Sequence, residues 1–289
     1  MDVVFGITGQ TGSATANALL ETGHPVRALV RDPGKAAAWA ARGVELVQGD
    51  LHDADAVAAV LQGARGAYVL VPPQWGVPDL FAANEPVVDA LVRGVEAADV
   101  PRVVLLSSIG AEQPAGTGPI RTLRPLEAAW RDRPGVTFLR AAYFQENLGG
   151  SLEPARADGV LPVFVDPEVP IEMVATADIG REAARLLSET SAARIVQLAG
   201  PEPVRFEAVA GVLSEQLGRA VATHRLPPEA ITPILEEQGA GHYAVLYAEM
   251  NAALDEGRLA FSAELPLVRG NTTVAATLGS LVQGARAAG

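Results

Sequence analysis

The apolar positions in the first half of the chain fall in short blocks. Val3–Phe5, Val26–Val30, Val44–Val47, Ala67–Val71, Val103–Leu106 and Val136–Leu139 are rich in β-branched and aliphatic residues, with little polar alternation. Strands buried on both faces read this way, and such strands belong to parallel sheets. Between the blocks, Ser13–Thr22, Lys35–Arg42, Asp53–Leu61 and Glu85–Ala98 are predicted helices. Gly23 and Gly43 suit their C-terminal stops, and Asp53 or Asp55 suits an N-cap. Strands alternating with helices imply right-handed crossovers and a doubly wound α/β fold.

Beyond about residue 148 the pattern changes. Pro154, Pro162, Pro167 and Pro170 interrupt an irregular stretch. Asp178 is expected to cap a helix running to Ser188, and Ile195–Leu198 to return to the sheet as a strand. Further helices are predicted near Phe206–Leu217, Pro228–Gln238, Tyr243–Glu256 and Thr273–Arg286. The expected division is a sheet domain over residues 1–150 and a smaller, mainly helical C-terminal lobe over 151–289, with some segments returning to the sheet. Such a lobe covers the carboxyl edge of the sheet, where ligand clefts form in doubly wound proteins.

Composition narrows the chemistry. The 289 residues are 49% hydrophobic and 19% charged, which suits an ordinary globular core. There is no cysteine, hence no disulfide, thiolate metal site or cysteine nucleophile. His24, His52, His224 and His242 are scattered without metal-ligand spacing, so no metal is expected. The net charge of −12 and the lack of a basic run argue against nucleic acid. No apolar run reaches membrane-spanning length. The first strand begins at Asp2 or Val3, leaving no room for a targeting segment. A cytoplasmic monomer or homodimer acting on a small molecule is the expectation.

The turn after the first strand reads Gly6-Ile7-Thr8-Gly9-Gln10-Thr11-Gly12. Glycines at such a junction let the backbone approach a pyrophosphate, and the helix N-terminus offers it free N–H groups. This marks a Rossmann-type dinucleotide site, with Gly6, Thr8, Gly9, Gln10, Thr11 and Gly12 around the phosphates. The second strand ends in Arg31-Asp32, with Lys35 beyond. A cation there pairs with a 2′-phosphate and an acid accepts ribose hydroxyls, so Arg31 and Lys35 favour NADP(H) while Asp32 leaves the other reading open. Asp50 and Leu51 follow the third strand and are placed to edge the adenine, although Asp50 equally suits a turn or cap. Val71, Pro72 and Pro73 end the fourth strand beside the expected ribose.

FGITGQTG, LVRDPGK, QGDL, LVPP, LLSSIGA and LRAAYFQENL, in this order, resemble the NmrA-like atypical short-chain dehydrogenases. PVRFEAVAGVLSEQLGRAV and ILEEQGAGHYAVLYAEM resemble more narrowly the ergot-alkaloid-biosynthesis-type reductases, the festuclavine- and agroclavine-dehydrogenase-like branch. The resemblance implies a Rossmann domain with a small C-terminal lobe, NADP use, and reduction of a C=O, C=N or C=C bond in specialised metabolism. It also admits non-catalytic NADP-binding sensors.

Ordinary short-chain dehydrogenases pair a tyrosine with a lysine four residues later, which lowers the tyrosine pKa. Lys35 is the only lysine here, and Tyr68, Tyr143, Tyr243 and Tyr247 are followed four residues on by Pro72, Asn147, Tyr247 and Asn251. The family's frequent Lys or His four residues before Glu127 is Leu123. The remaining candidates are Ser107 and Ser108 at the end of the fifth strand, where a hydroxyl polarises a carbonyl or binds backbone. Tyr143 either donates a proton or stacks on substrate. Phe144 and Asn147 share its wall, and Tyr243 and Tyr247 face it from a predicted helix or pack in the core. Glu146 either caps a helix or does chemistry. This inventory suits an enzyme that positions a hydride donor against a good electrophile.

Overall fold

The computed structural model describes residues 1–189 and 192–288. Its centre is an eight-stranded sheet. The first six strands are β1 (Asp2–Val4), β2 (Val26–Val30), β3 (Glu45–Gln48), β4 (Gly66–Val69), β5 (Val103–Ser108) and β6 (Val136–Ala141). Three short strands follow, β7 (Tyr143–Phe144), β8 (Val160–Val163) and β9 (Met173–Val174), then β10 (Ile195–Ala199), β11 (Ala222–Arg225) and β12 (Leu267–Arg269). The sheet order is β12-β10-β6-β5-β4-β1-β2-β3, and every pairing in it is parallel. This is the doubly wound Rossmann-type α/β fold.

The early helices are α1 (Gln10–Glu21), α2 (Ala37–Ala40), α3 (Ala54–Leu61), α4 (Leu80–Ala97) and α5 (Arg124–Ala129). Those after residue 150 are α6 (Leu152–Asp158), α7 (Thr176–Ser188), α8 (Phe206–Leu217), α9 (Ile231–Glu237), α10 (His242–Asp255) and α11 (Val274–Ala288). One sheet face buries Val4, Val30, Val104 and Leu139 under Leu19 of α1 and Ile179 and Leu187 of α7. The opposite face buries Val3, Phe5, Leu105 and Phe138 under Val60 of α3, Leu91 of α4 and Leu126 of α5. Residues past 150 therefore serve two structures. α7, β10 and β12 complete the sheet layers. α6, α8, α11 and the β8–β11 pair enclose a separate core around Leu161, Met173 and Leu213.

Three expectations need correction. α4 begins at Leu80 instead of Glu85, because Asp79 caps it by accepting from the Phe81 and Ala82 amides at 2.9 and 3.1 Å. Pro86 sits inside the helix instead of at its start. Asp178 is not the cap of α7. It accepts the Thr272 amide at 3.0 Å and pairs with Arg181. The cap is Glu146, whose carboxylate accepts the Thr176 amide at 2.9 and 3.0 Å and its hydroxyl at 2.7 Å. β12, three residues between Pro266 and Gly270, is an edge strand that the hydrophobic pattern did not predict.

α1 and α7 cross at bare backbone. A Cβ at Gly180 would lie 2.3 Å from the carbonyl carbon of Ala14. Gly180→Ala is therefore expected to lower unfolding stability by about 2–3 kcal/mol through overpacking. Urea denaturation checks this, and a loss under about 0.5 kcal/mol contradicts it.

Candidate active site

The turn between β1 and α1 is a backbone cradle. Gly6 has φ +68°, and the Gly9 amide donates to its carbonyl at 2.8 Å. A Cβ at Gly12 would lie 2.1 Å from the Gly6 oxygen, so only glycine lets the helix start this close to the strand. Gly9 occupies the N-cap with no side-chain hydrogen bond, and the first turn of α1 carries no acid. Among the described residues no side chain caps the first-turn N–H groups, which lie at the positive end of the helix. Such a cradle fits a dinucleotide pyrophosphate. Thr8, Gly9 and Gln10 are exposed around it, and Thr11 is buried.

At the end of β2, Asp32 spends a carboxylate oxygen on the Gly34 amide at 2.9 Å, capping the turn that carries Lys35. Arg31 is exposed and makes no ion pair with Asp32 among the described residues. Asp50, after β3, accepts the His52 amide at 3.0 Å and contacts its Nδ1 at 2.6 Å. These His52 contacts, with Arg31 farther off, hold the Asp50 carboxyl below the usual carboxylate range. Leu51 is half-buried beside the sheet.

A cavity of about 920 Å³ opens at the carboxyl edge of the sheet. It brings together Gln10 and Thr11, Val71, Pro72 and Pro73, Ser107 and Ser108, Tyr143, Phe144 and Asn147, and Tyr243 and Tyr247. Arg31, Lys35, Asp50 and Leu51 do not line it. They lie toward the β2–β3 end of the sheet. Among the described residues its only charged lining side chain is Glu172, which Arg269 binds through both oxygens at 2.5 and 2.7 Å.

The two serines differ. Ser108 donates to the Ile109 carbonyl at 3.1 Å. Ser107 does not bind backbone. Its hydroxyl donates to Glu127 at 2.5 Å, behind the cavity wall. Arg140 grips the same carboxylate at 2.7 and 3.1 Å and reaches Glu112 at 2.8 Å. Burial disfavours the Arg140 charge, but the two carboxylates outweigh it and raise its pKa. This network escaped sequence reasoning, because the β5–β6 register pairs residues 107 and 140 and α5 brings Glu127 to them. With its proton committed to Glu127, Ser107 has none to offer a substrate.

Tyr143 stands on β7, and its hydroxyl faces Tyr247 and Asn147. Burial, then the neighbouring Tyr247 and Tyr243, push its pKa well above that of a free phenol. Burial likewise pushes Tyr243 up to about 12. Tyr243 and Tyr247 stack at 5.8 Å, and Tyr243 lies 5.3 Å from Trp75. Trp75, on the loop after Pro73, also went unpredicted. Its indole N–H donates to the Gln238 carbonyl at 3.3 Å and ties that loop to the lobe.

Residues 6–133 match the family model described as NAD(P)H-binding. The match takes in the Gly6–Gly12 cradle and strands β2 to β5. An NAD(P)H azoreductase of Xenophilus azovorans is 29% identical over 226 residues, covering 76% of this chain and 75% of its own. Quinone oxidoreductase 2 of Escherichia coli (strain K12) is 27% identical over 247 residues, covering 83% and 82%. Among solved structures, the NADPH-dependent quinone oxidoreductase of Escherichia coli complexed with NADPH superposes with a TM-score of 0.82 at 25% identity. That match covers 98% of this chain and all of the other. A triphenylmethane reductase of Citrobacter sp. shares the fold, with a TM-score of 0.78 at 21% identity over 98% of this chain and 99% of its own. None of these relatives is named for alkaloid chemistry, so the narrower ergot-type branch gains nothing from them. Among the described residues, no helix is long and apolar enough to cross a membrane.

The raised tyrosines predict the alkaline behaviour of this NAD(P)H-binding chain. Tyr68, buried beneath α1, is raised as well. Unfolded tyrosines lose their protons near pH 10, while the folded chain keeps them. The folded state then binds more protons, and stability falls as pH rises above about 10, by about 1.4 kcal/mol per pH unit for each tyrosine. Denaturant unfolding across this range checks the sign. Stability that is flat or rising up to about pH 11 contradicts the burial of these phenols.

Proposed function

We propose that the protein is an NADPH-dependent reductase of small, uncharged aromatic electron acceptors of the quinone type. As an NAD(P)H-dependent oxidoreductase it needs a donor site and an acceptor site in contact. The observation that carries the reading is the single cavity that runs from Gln10 and Thr11 to the wall of Tyr143, Tyr243 and Tyr247, with its one carboxylate neutralised by Arg269. A neutral cleft of this kind suits an uncharged acceptor, and the names of the azo- and quinone-reducing relatives support the choice.

The chain's own residues divide the work. The Gly6–Gly12 cradle and the first-turn amides of α1 hold the pyrophosphate. Arg31 and Lys35 take the 2′-phosphate, and Asp50 and Leu51 edge the adenine. Val71, Pro72 and Pro73 line the ribose. The ends of β5 at Ser107 and Ser108 fix the floor beside the nicotinamide. Tyr143, Phe144 and Asn147 after β6, with Tyr243 and Tyr247 from the C-terminal lobe, orient the acceptor. When bound, NADPH supplies a hydride. Reduction of a quinone takes up that hydride and one proton and yields a hydroquinone and NADP+.

Tyr143 orients the ring and is not the main proton source. Its raised pKa keeps the phenol neutral but makes it a weak acid, and the product oxyanion takes its proton from water at the open cleft. NADPH oxidation with a quinone panel is therefore expected to be measurable, and Tyr143→Phe to lower kcat by less than about tenfold. A positioned general acid is worth about a hundredfold or more. A loss of that size would reassign the proton to Tyr143, and an inert panel would favour the sensor reading.

Arg31 carries the choice of cofactor. Asp32 is committed to Gly34, leaving Arg31 free to pair with a phosphate. Arg31→Ala is expected to weaken NADPH binding about 10- to 100-fold while leaving NADH binding nearly unchanged. Equal weakening of both in a titration would end the NADP assignment.

A further inference from the structure

The cavity does not stop where an aromatic acceptor would sit. Beyond Tyr143 its lining continues through Val169 and Ile171 to Phe261, Leu265 and Leu267. Leu267 opens β12, the edge strand, and the sheet order places β6 and β10 between it and β5. Three strand spacings separate β5 from β12, about 14 Å at the usual strand separation. That length exceeds one ring lying against Tyr143.

The arm past β6 is mostly apolar, with Ser262 its one hydroxyl among the described lining residues. Glu172 is the one charged side chain along it, and Arg269 occupies both of its oxygens. No free charge remains among the described lining residues to pair with a sulfonate, a carboxylate or an ammonium group. At the far end Leu267 is 39% exposed, one of three large hydrophobic side chains left so exposed among the described residues. A leucine uncovered at the mouth of an apolar channel is surface that a ligand can bury.

We propose that this arm is a subsite for an uncharged aliphatic tail carried by the aromatic acceptor, with Leu267 at its outer end. The proposal rests on the reductase reading above and narrows it to tailed acceptors. The ring lies between Tyr143 and the end of β5, and the tail runs beneath the 259–267 segment toward the edge of the sheet. Each methylene placed there leaves water. Transfer of one methylene favours binding about threefold to fourfold until the tail passes Leu267.

The test compares methyl-, pentyl- and decyl-substituted para-benzoquinone in two ways. Turnover is followed as NADPH oxidation. Binding to the NADP+-loaded protein is followed by calorimetry, which needs no reaction. Both kcat/KM and affinity are expected to rise at least about tenfold from methyl to pentyl. Leu267→Glu is expected to shrink the decyl-to-methyl ratio about tenfold in both measurements. Leu267→Thr, which keeps a good strand former on β12, serves if the glutamate variant fails to fold, with a smaller loss in the same direction.

If the methyl quinone is reduced but chain length changes nothing, the tail subsite falls and the reductase reading stands. The same holds if the Leu267 variants keep the wild-type ratio. If no quinone is reduced but binding still grows with chain length and Leu267→Glu cancels the growth, the subsite stands and the quinone reading falls.

Discussion

Helix α1 can start as close to strand β1 as it does only because residue 12 has no side chain. A Cβ there would sit 2.1 Å from the Gly6 oxygen, far inside the closest approach of non-bonded atoms. The remaining architecture is arranged around that approach. It aims the free amides of the first turn at one end of the cleft. It also sets the height of α1, against which α7 packs through the bare backbone of Gly180. α7 in turn is capped by Glu146, three residues after Tyr143. The Gly6–Gly12 turn and the Tyr143 wall of the cleft are thus joined through two helices and one carboxylate.

The floor between them is held from behind. Ser107, Glu127 and Arg140 form a buried network on the far side of β5. Removing one partner of a buried ion pair costs about 3–5 kcal/mol, because the other charge is left unpaired in the interior. That cost fixes the end of β5, and with it the surface on which a nicotinamide would lie. The cleft itself is left mainly with apolar side chains, phenols, amides and hydroxyls, and its one carboxylate, Glu172, is bound by Arg269. Binding and orientation follow from such a lining more readily than acid–base chemistry does.

Much of the fold was legible in the chain. The six early strands lie in apolar runs with little polar alternation, alternating with helical stretches, which declares a parallel sheet, and the Gly6–Gly12 turn declared its ligand class. The parts that were not legible are non-local. β12 is three residues long, too short for any periodicity, and exists because Gln197, Leu198 and Ala199 offer it a free edge. Asp178 looked like a cap because it stands near the start of a helix. The true cap, Glu146, comes from thirty residues away. The Asp79 side-chain cap starts α4 at Leu80, five residues before the predicted Glu85. At the candidate site, Tyr143 and Tyr243 were expected at the cleft, and both line it. Trp75 and the Ser107–Glu127–Arg140 network were not expected, because their partners lie on other strands and helices.

The central claim is that one neutral cleft lets a nicotinamide and an uncharged acceptor meet directly. A single-turnover experiment tests this most directly. Protein loaded with NADPH, or with NADPH deuterated at the transferring C4 position, is mixed without oxygen against methyl-para-benzoquinone. The account predicts loss of the NADPH signal in step with hydroquinone formation, slowed clearly by the deuterium. Quinone that binds while NADPH persists, or reduction indifferent to the label at saturating quinone with the chemical step isolated, would contradict it.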